Sequence, residues 1–186
     1  MTLIKNKKIV ISGGPGSGKT TLVHLLKTKG HTCFDEFSRS IIDEGQKNGD
    51  MSGFKSQPLT FSNKVWEARK KQYLKTTALT LNPESPFVFF DRGLHDVIAY
   101  LDCNNVTYDP RKYDLSSFPY DKVFLLPPWE AIYKNDQQRI ESFDEAKKIY
   151  FYIHKTYQKH KIPTVEIPFL STEERMSNLL ESLRDV

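Results

Sequence analysis

The sequence predicts an α/β fold in which about five parallel strands form a sheet covered by helices on both faces. Short apolar segments typical of buried strands alternate with longer segments that carry apolar residues at helical spacing. This alternation favours a parallel sheet with right-handed crossovers. The 186 residues suit a single domain spanning 1–186, and a composition of 38% hydrophobic and 27% charged residues excludes disordered and collagen-like classes.

The first strand and the first helix flank a loop rich in glycine. Lys8–Ser12 is an apolar, largely β-branched segment that ends at two glycines, as expected of a buried strand that feeds a loop. Thr21–Lys29 carries leucines at helical spacing and stops before Gly30, which can take the left-handed conformation found after helix ends. The loop therefore connects the carboxyl end of a strand to the amino end of a helix.

The next part of the chain combines one strand with mostly helical segments. His31–Asp35 is predicted as the second strand and Glu36–Asp43 as a short helix. Gly45–Gln57 is polar and interrupted by glycines, so it is predicted as a loop. A long helix is predicted from Leu59 to Leu81, where an Asn-Pro pair ends it.

The second half of the chain repeats the alternation of strands and helices. Pro86–Phe90 is an unbroken apolar run and is predicted as the third strand. The same criteria give strands at Asp121–Leu126 and Ile162–Ile167, and helices at Leu94–Leu101, near Trp129–Tyr133, at Phe143–Lys161 and from Ser171 to the end. Ser171 and Glu174 have the spacing of a capping box, which marks the start of the last helix.

The glycine-rich loop carries the pattern G-x-x-x-x-G-K-[ST]. Backbone amides of such a loop wrap a phosphate chain under the positive end of the next helix. Lys19 would reach the β- and γ-phosphates, and the Thr20 hydroxyl would bind Mg²⁺. The sequence therefore predicts binding of ATP or GTP with Mg²⁺. The predicted nucleotide-binding residues of this loop are Gly13, Gly14, Pro15, Gly16, Ser17, Gly18, Lys19, Thr20 and Thr21.

Acidic residues follow the second and third strands, at the edge of the sheet where ligands bind in open α/β folds. Asp91 could hold Mg²⁺ through water and Arg92 could pair with phosphate oxygens, unless both only cap the strand and the next helix. Asp35 or Glu36 could take a proton from an acceptor hydroxyl, unless they simply begin a helix. Arg39, about one turn later, could neutralise an anionic substrate.

Further positions are candidates for substrate contacts. Arg139 lies in a polar connection that we predict to be a lid of about residues 129–145, where a cation could meet the transferring phosphoryl group. Pro168-Phe169 follows the fifth strand and could flank a purine, unless the aromatic ring belongs to the core. Trp66 and Arg69 share one side of the long helix and either line an acceptor pocket or pack against the sheet.

These motifs together resemble small P-loop kinase-like ATPases of the AAA type, which are similar to nicotinamide riboside kinases and more distantly to thymidylate and deoxynucleoside kinases. The resemblance rests on Gly13–Thr20, Asp35-Glu36 with Arg39, Phe89–Gly93, the strand before Pro127-Pro128 and the segment around Arg139. It implies a three-layer P-loop NTPase fold with a lid. It also implies a base at the end of strand two and an Asp91-Arg92 pair at the phosphates.

The motifs and the resemblance favour a phosphotransferase that moves the γ-phosphoryl group of ATP to a small nucleoside-, nucleotide- or vitamin-like acceptor. The helical region of about residues 44–81 would form the acceptor side. The alternative is an ATP- or GTP-hydrolysing switch that acts through a protein or lipid partner, with Gly45–Gln57 as its mobile loop. A kinase of nucleic-acid ends is disfavoured because no aromatic and basic tract is present.

Charge and cysteine content indicate the setting in which the protein works. The net charge of +4 comes from interspersed lysines, so an anionic small molecule is a better partner than a nucleic acid. Cys33 and Cys103 lack metal-binding spacing, which favours reduced thiols. No segment approaches the roughly 18 apolar residues of a membrane span. We therefore expect a cytoplasmic protein, with its oligomeric state left open.

Overall fold

The computed structural model describes residues 6–37, 57–133 and 141–184 of the chain. Over these residues the chain forms five strands and five α-helices. In chain order they are β1 (Lys7–Gly13), α1 (Lys19–Thr28), β2 (Thr32–Phe34), α2 (Pro58–Lys75), β3 (Phe87–Asp91), α3 (His95–Cys103), β4 (Lys122–Leu126), α4 (Phe143–Lys159), β5 (Thr164–Glu166) and α5 (Thr172–Glu181). Short 3₁₀ turns lie at Thr76–Ala78, Pro110–Tyr113 and Glu130–Ile132.

The described strands form one parallel sheet in the order β2-β3-β1-β4-β5. In the central strand β1, Ile9 lies opposite Phe89 of β3 and Lys122 of β4. The chain first adds strands on one side of β1 and later on the other, so the loop after β1 lies at the switch point where open α/β sheets bind ligands. The prediction of about five parallel strands is confirmed.

Helices cover both faces of the sheet. Successive side chains of a strand point to opposite faces, so the apolar residues of a central strand need a cover on each side. Ile9 and Ile11 pack with α1 and α5 in one buried cluster, while Val10 packs with α2, α3 and α4 in the other. Val88–Phe90 of β3 is only 0–1% exposed, as expected of a strand covered on both faces. The three-layer architecture is therefore confirmed.

The long helix α2 ends earlier than predicted. It stops at Lys75 rather than at Leu81, and Thr76–Ala78 forms a 3₁₀ turn. The Thr76 hydroxyl donates to the Tyr73 carbonyl at 2.7 Å, and the Asn6 side-chain amide donates to the Thr76 carbonyl at 3.1 Å. These side-chain bonds satisfy carbonyls that a longer helix would have used.

The last two elements lie where the sequence predicts them. β5 is shorter than Ile162–Ile167 because it pairs with β4 alone and prolines lie on both sides of it. The capping box at the start of α5 is present, with Ser171 Oγ accepting from the Glu174 amide. Most of the predicted helix Glu36–Asp43 and of the predicted loop Gly45–Gln57 lies outside the described residues.

Candidate active site

A cavity of about 710 Å³ opens at the carboxyl ends of the parallel strands. Its volume lies within the roughly 300–1,000 Å³ typical of small-molecule sites. Residues 15–21 of the glycine loop form one side, together with residues that follow β4 and β5. The opposite side comes from the end of β2 and from α2, α3 and α4; its lining residues include Glu36, Phe61, Val65, Arg69, Asp96, Val97, Tyr100 and Ile149.

Two glycines let the loop after β1 turn tightly into α1. At Gly13 the backbone φ is 149°, and a Cβ added there would lie 2.3 Å from the Leu126 carbonyl oxygen of β4. Gly18, directly before α1, also has a positive φ of 87°. A side chain at either position would be strained, and at Gly13 it would also push the loop away from β4. The free amides at the start of α1 can therefore meet anionic oxygens in the loop.

The Lys19 side chain is folded into this loop. It is 5% exposed, and its Nζ donates to the Gly14 carbonyl at 2.6 Å and to Ser17 Oγ at 3.2 Å. Burial, and next the positive charge of Arg92, lower the pKa of Lys19 to about 7. A phosphate group in the loop would add negative charge beside the ammonium group, so Lys19 suits the binding of polyphosphate.

Asp91 provides a buried carboxylate that suits a cation. It ends β3 opposite Ile11 of β1 and is 2% exposed. Burial, and next the Glu36 carboxylate, raise the pKa of Asp91 to about 6. Within the described part of the chain, no donor reaches its Oδ1. Mg²⁺ prefers oxygen ligands and keeps bound waters, so a carboxylate with an unpaired oxygen fits the magnesium ligand that the sequence predicts. Thr20 lines the cavity, whereas Asp91 is not among the described residues that do, so a magnesium site shared by the two stays a prediction.

Arg92 connects the glycine loop to Glu36. Its Nε donates to Glu36 Oε1 at 2.7 Å, and its Nη1 donates to the Gly13 carbonyl at 3.1 Å. Burial alone would lower the pKa of Arg92, but Glu36 and Asp96 raise it above its ordinary value, so the guanidinium stays charged. Its backbone φ of 71° is strained for a residue other than glycine. Such strain concentrates at functional sites.

The two acidic residues after β2 lie in different environments. The Glu36 side chain is 12% exposed and lines the cavity. The Asp35 side chain is 71% exposed and pairs with Lys27 of α1. Of the two alternatives that the sequence leaves open, Glu36 is the one that can meet a substrate in the cavity. Its role as the base stays a prediction.

The two predicted substrate residues of α2, Arg69 and Trp66, also lie in different environments. Arg69 lines the cavity, is 5% exposed, and donates through Nη1 to the Gly93 carbonyl at 2.9 Å. Trp66 is instead a core residue, 4% exposed, and its ring packs edge-on against Tyr113 and Phe118. It is not among the described residues that line the cavity. Of the two alternatives that the sequence leaves open for Trp66, the structure shows packing in the core, where the large ring finds aromatic partners.

Sequence reasoning named Phe169 but missed its partners Trp129 and Arg175, with which it forms an aromatic and cationic stack beside the glycine loop. The Trp129 ring stacks on Phe169 with centroids 5.3 Å apart, and the Arg175 guanidinium lies 4.7 Å from the Trp129 ring centre. Arg175 is 4% exposed and donates to the Ser17 carbonyl at 2.9 Å. The capping box was a usable signal, because it places Arg175 in the first turn of a helix that follows a strand end.

Pro168, Arg39 and Arg139 are also not assigned to the cavity. Pro168 follows β5, but among the described residues of that connection the cavity is lined by Leu170, Ser171 and Thr172. Arg39 and Arg139 lie outside the described residues. The phosphate clamp expected from Arg139 therefore stays a prediction.

The family comparison agrees with this geometry. A family model described as an AAA domain matches residues 8–175, which is most of the chain. The chain belongs to this AAA domain family. A comparison with curated proteins finds no significant sequence match.

Solved structures of nucleoside and nucleotide kinases share the fold of this AAA domain. Deoxyadenosine kinase from M. mycoides, solved with the products dCMP and dCDP, is 17% identical, covers 96% of this chain and 100% of its own, and has a TM-score of 0.67. Thymidylate kinase from Candida albicans is 18% identical over 97% of this chain and 92% of its own, with a TM-score of 0.68. Thymidylate kinase from Ehrlichia chaffeensis is 16% identical over 97% and 100%, with a TM-score of 0.62.

The resemblance to thymidylate and deoxynucleoside kinases is thereby confirmed at the level of fold. Membership of the AAA domain family, the parallel sheet order and the fold shared with these kinases agree with the P-loop fold that the glycine loop predicts. No helix within residues 6–37, 57–133 and 141–184 is long and apolar enough to cross a membrane.

Proposed function

We propose that this AAA domain transfers the γ-phosphoryl group of ATP, or of a related nucleoside triphosphate, to a hydroxyl group of a small nucleoside-like acceptor. The observation that carries the proposal is the cavity that joins the glycine loop on one side to Glu36 and Arg92 on the other. A single space of this kind can hold donor and acceptor together, which lowers the entropic cost of bringing them into line.

The donor half of the cavity suits a nucleoside triphosphate. The loop amides and Lys19 would hold the polyphosphate, and Trp129 and Arg175, which line the cavity beside the loop, would flank the base. Thr20 and Asp91 would hold Mg²⁺, which would supply positive charge at the phosphates. Arg92 would add a second, permanent positive charge where the phosphoryl group transfers.

The acceptor half suits a ring that carries a hydroxyl group. Phe61, Val65, Val97 and Ile149 give it an apolar wall, and Glu36 gives it a carboxylate. As the acceptor oxygen attacks the γ-phosphorus, its proton would pass to Glu36. The bond from that phosphorus to the β–γ bridging oxygen breaks, and the nucleoside diphosphate leaves.

A cytoplasmic location fits the free thiols of Cys33 and Cys103.

The proposal is tested by incubating the full chain with ATP and Mg²⁺ and a panel of nucleosides, nucleoside monophosphates and vitamin-like alcohols. ADP formation and the mass of the acceptor product are measured together, with Lys19→Ala as the inactive control. A phosphorylated alcohol that forms only with the wild type is the expected result. ADP formed at one rate whatever the acceptor would favour the hydrolysing switch, and a diphosphate product would contradict the hydroxyl acceptor.

A further inference from the structure

Asp96, a residue of the first turn of α3, is the centre of a buried hydrogen-bond network behind Arg92. Its side chain is 3% exposed. Ser12 Oγ of β1 donates to Asp96 Oδ1. Tyr157 of α4 donates its hydroxyl proton to Oδ2 at 2.6 Å, and the Gly93 amide donates to the same oxygen at 2.8 Å. One carboxylate therefore joins the central strand, the turn after β3 and α4.

The same carboxylate faces the guanidinium of Arg92. Asp96 Oδ1 lies 3.6 Å from Arg92 Nη1, the nitrogen that donates to the Gly13 carbonyl. Asp96 thus contacts the Arg92 guanidinium directly, and it also accepts a hydrogen bond from the amide of the next residue, Gly93. Both contacts act on the residue whose Nε holds Glu36.

The turn at Arg92 and Gly93 is fixed on both sides. The Gly93 amide donates to Asp96, and the Gly93 carbonyl accepts from Arg69 Nη1 at 2.9 Å. A Cβ at Gly93 would lie 2.7 Å from the Tyr157 hydroxyl oxygen, so the turn packs tightly against α4. These contacts hold Arg92 at its positive φ of 71°, which a residue other than glycine does not adopt without support.

We propose that Asp96 is a positioning residue for phosphoryl transfer: it orients the Arg92 guanidinium between the Gly13 carbonyl and Glu36. This inference rests on the proposed function. Asp96 also lines the cavity, but it acts through Arg92 and need not touch either substrate. A carboxylate is needed because three donors and a guanidinium converge on it, and an amide would turn a donor toward one of them.

A double-mutant cycle tests the inference, with turnover of ATP measured in the full chain. Asp96→Asn is expected to lower kcat by about tenfold to a hundredfold while leaving the KM for ATP within about threefold. In an Arg92→Met background, the same change is expected to alter kcat by less than about twofold, because the group that Asp96 orients is gone. Asp96→Glu, which keeps the charge but moves it by one methylene, is run through the same cycle.

A purely structural Asp96 would give a different pattern. Tyr157→Phe is the matched control: it removes one bond to Asp96 and keeps the charge, so it is expected to lower Tm while changing kcat by less than about threefold. Equal losses of kcat from the Asp96 variants in both Arg92 backgrounds would overturn the inference. So would Asp96 variants that lower Tm as Tyr157→Phe does and leave kcat intact.

Failure of the proposed function would be visible separately. A wild-type chain that binds ATP but shows no turnover contradicts that function alone. The cycle is then read on the Kd for ADP with Mg²⁺ and aluminium fluoride, an analogue of the transferring phosphoryl group, because the affinity for ATP itself is expected to change little. Non-additive effects of Asp96 and Arg92 on the Kd support the inference, and additive effects overturn it.

Discussion

Arg92 Nε lies 2.7 Å from Glu36 Oε1, and the same guanidinium donates to the Gly13 carbonyl at the start of the glycine loop. This pair connects the carboxylate proposed to accept a proton with the loop proposed to hold the phosphates. The two halves of the cavity are therefore joined by one side chain.

Nucleotide binding is predicted to take up protons near neutral pH through Lys19. Burial lowers the pKa of Lys19 in the free protein to about 7, so part of the population is neutral at pH 7–8. A bound polyphosphate favours the ammonium form and raises that pKa. Affinity for ATP should therefore fall as the pH rises above about 7.

Calorimetry in buffers of different ionisation enthalpy measures the proton uptake that accompanies ATP binding. Lys19→Ala should abolish it, and uptake that persists in that variant contradicts the assignment.

Asp91→Asn is predicted to stabilise the free protein at neutral pH. The pKa of Asp91 is raised from 3.8 to about 6 in the folded state, mainly by burial. The folded state therefore loses stability as the pH rises from about 4 to 6, and the full cost is present above pH 6. Removing the charge should raise the free energy of unfolding by about 1–3 kcal/mol at pH 7.5.

Urea denaturation with and without ATP and Mg²⁺ separates the two roles of Asp91. The variant should gain little at pH 4, where the wild-type carboxyl is already protonated. It should also lose most of the Mg²⁺-dependent stabilisation by ATP, since binding to the folded state raises its apparent stability. If ATP with Mg²⁺ stabilised the Asp91→Asn variant as much as the wild type, Asp91 would not be a ligand of the metal.

Trp129→Leu is predicted to weaken ATP binding with little effect on kcat. Stacking of a base on an aromatic ring contributes about 1–3 kcal/mol. The KM for ATP should therefore rise about tenfold. Phe151→Leu is the matched control, because Phe151 is an aromatic residue of α4 that is 61% exposed. Steady-state kinetics at saturating acceptor distinguish the two variants. An unchanged KM for ATP in Trp129→Leu would contradict the assignment of Trp129 to the donor site.

Trp66→Leu is predicted to affect stability rather than substrate binding. The Trp66 ring fills a buried space between Tyr113 and Phe118, so a smaller side chain leaves a cavity. The free energy of unfolding should fall by about 2–4 kcal/mol. The KM for the acceptor should stay within about twofold. A large rise in the KM for the acceptor without loss of stability would instead indicate that Trp66 contacts the acceptor.

Local patterns were enough to predict the sheet and the glycine loop. The strand at Lys8–Ser12, the loop to Thr20 and the following helix are contiguous in sequence, so their geometry follows from a short segment. The carboxyl ends of parallel strands meet at one edge, which is why Asp35-Glu36 and Asp91 could be predicted at the same edge of the sheet from the sequence.

Side-chain direction and distant contacts were beyond the same reasoning. Trp66 and Arg69 are three residues apart on α2, yet the ring enters the core while the guanidinium reaches the cavity. Arg175 meets Ser17 across 158 residues of sequence, a contact that no local pattern encodes. The choice between Asp35 and Glu36 depended on Lys27 of α1, which pairs with Asp35 at the surface.

The most direct test of the account compares Glu36→Gln with Asp35→Asn, two adjacent carboxylates of which Glu36 alone lines the cavity. ATP carrying an isotopic label in its γ-phosphate is supplied with an accepted alcohol, and the label is followed into the product. We expect Glu36→Gln to bind ATP normally and to transfer label about 10²–10⁴-fold more slowly, while Asp35→Asn transfers it at the wild-type rate. Label released by the wild type only as inorganic phosphate, or full transfer by Glu36→Gln, would contradict the account.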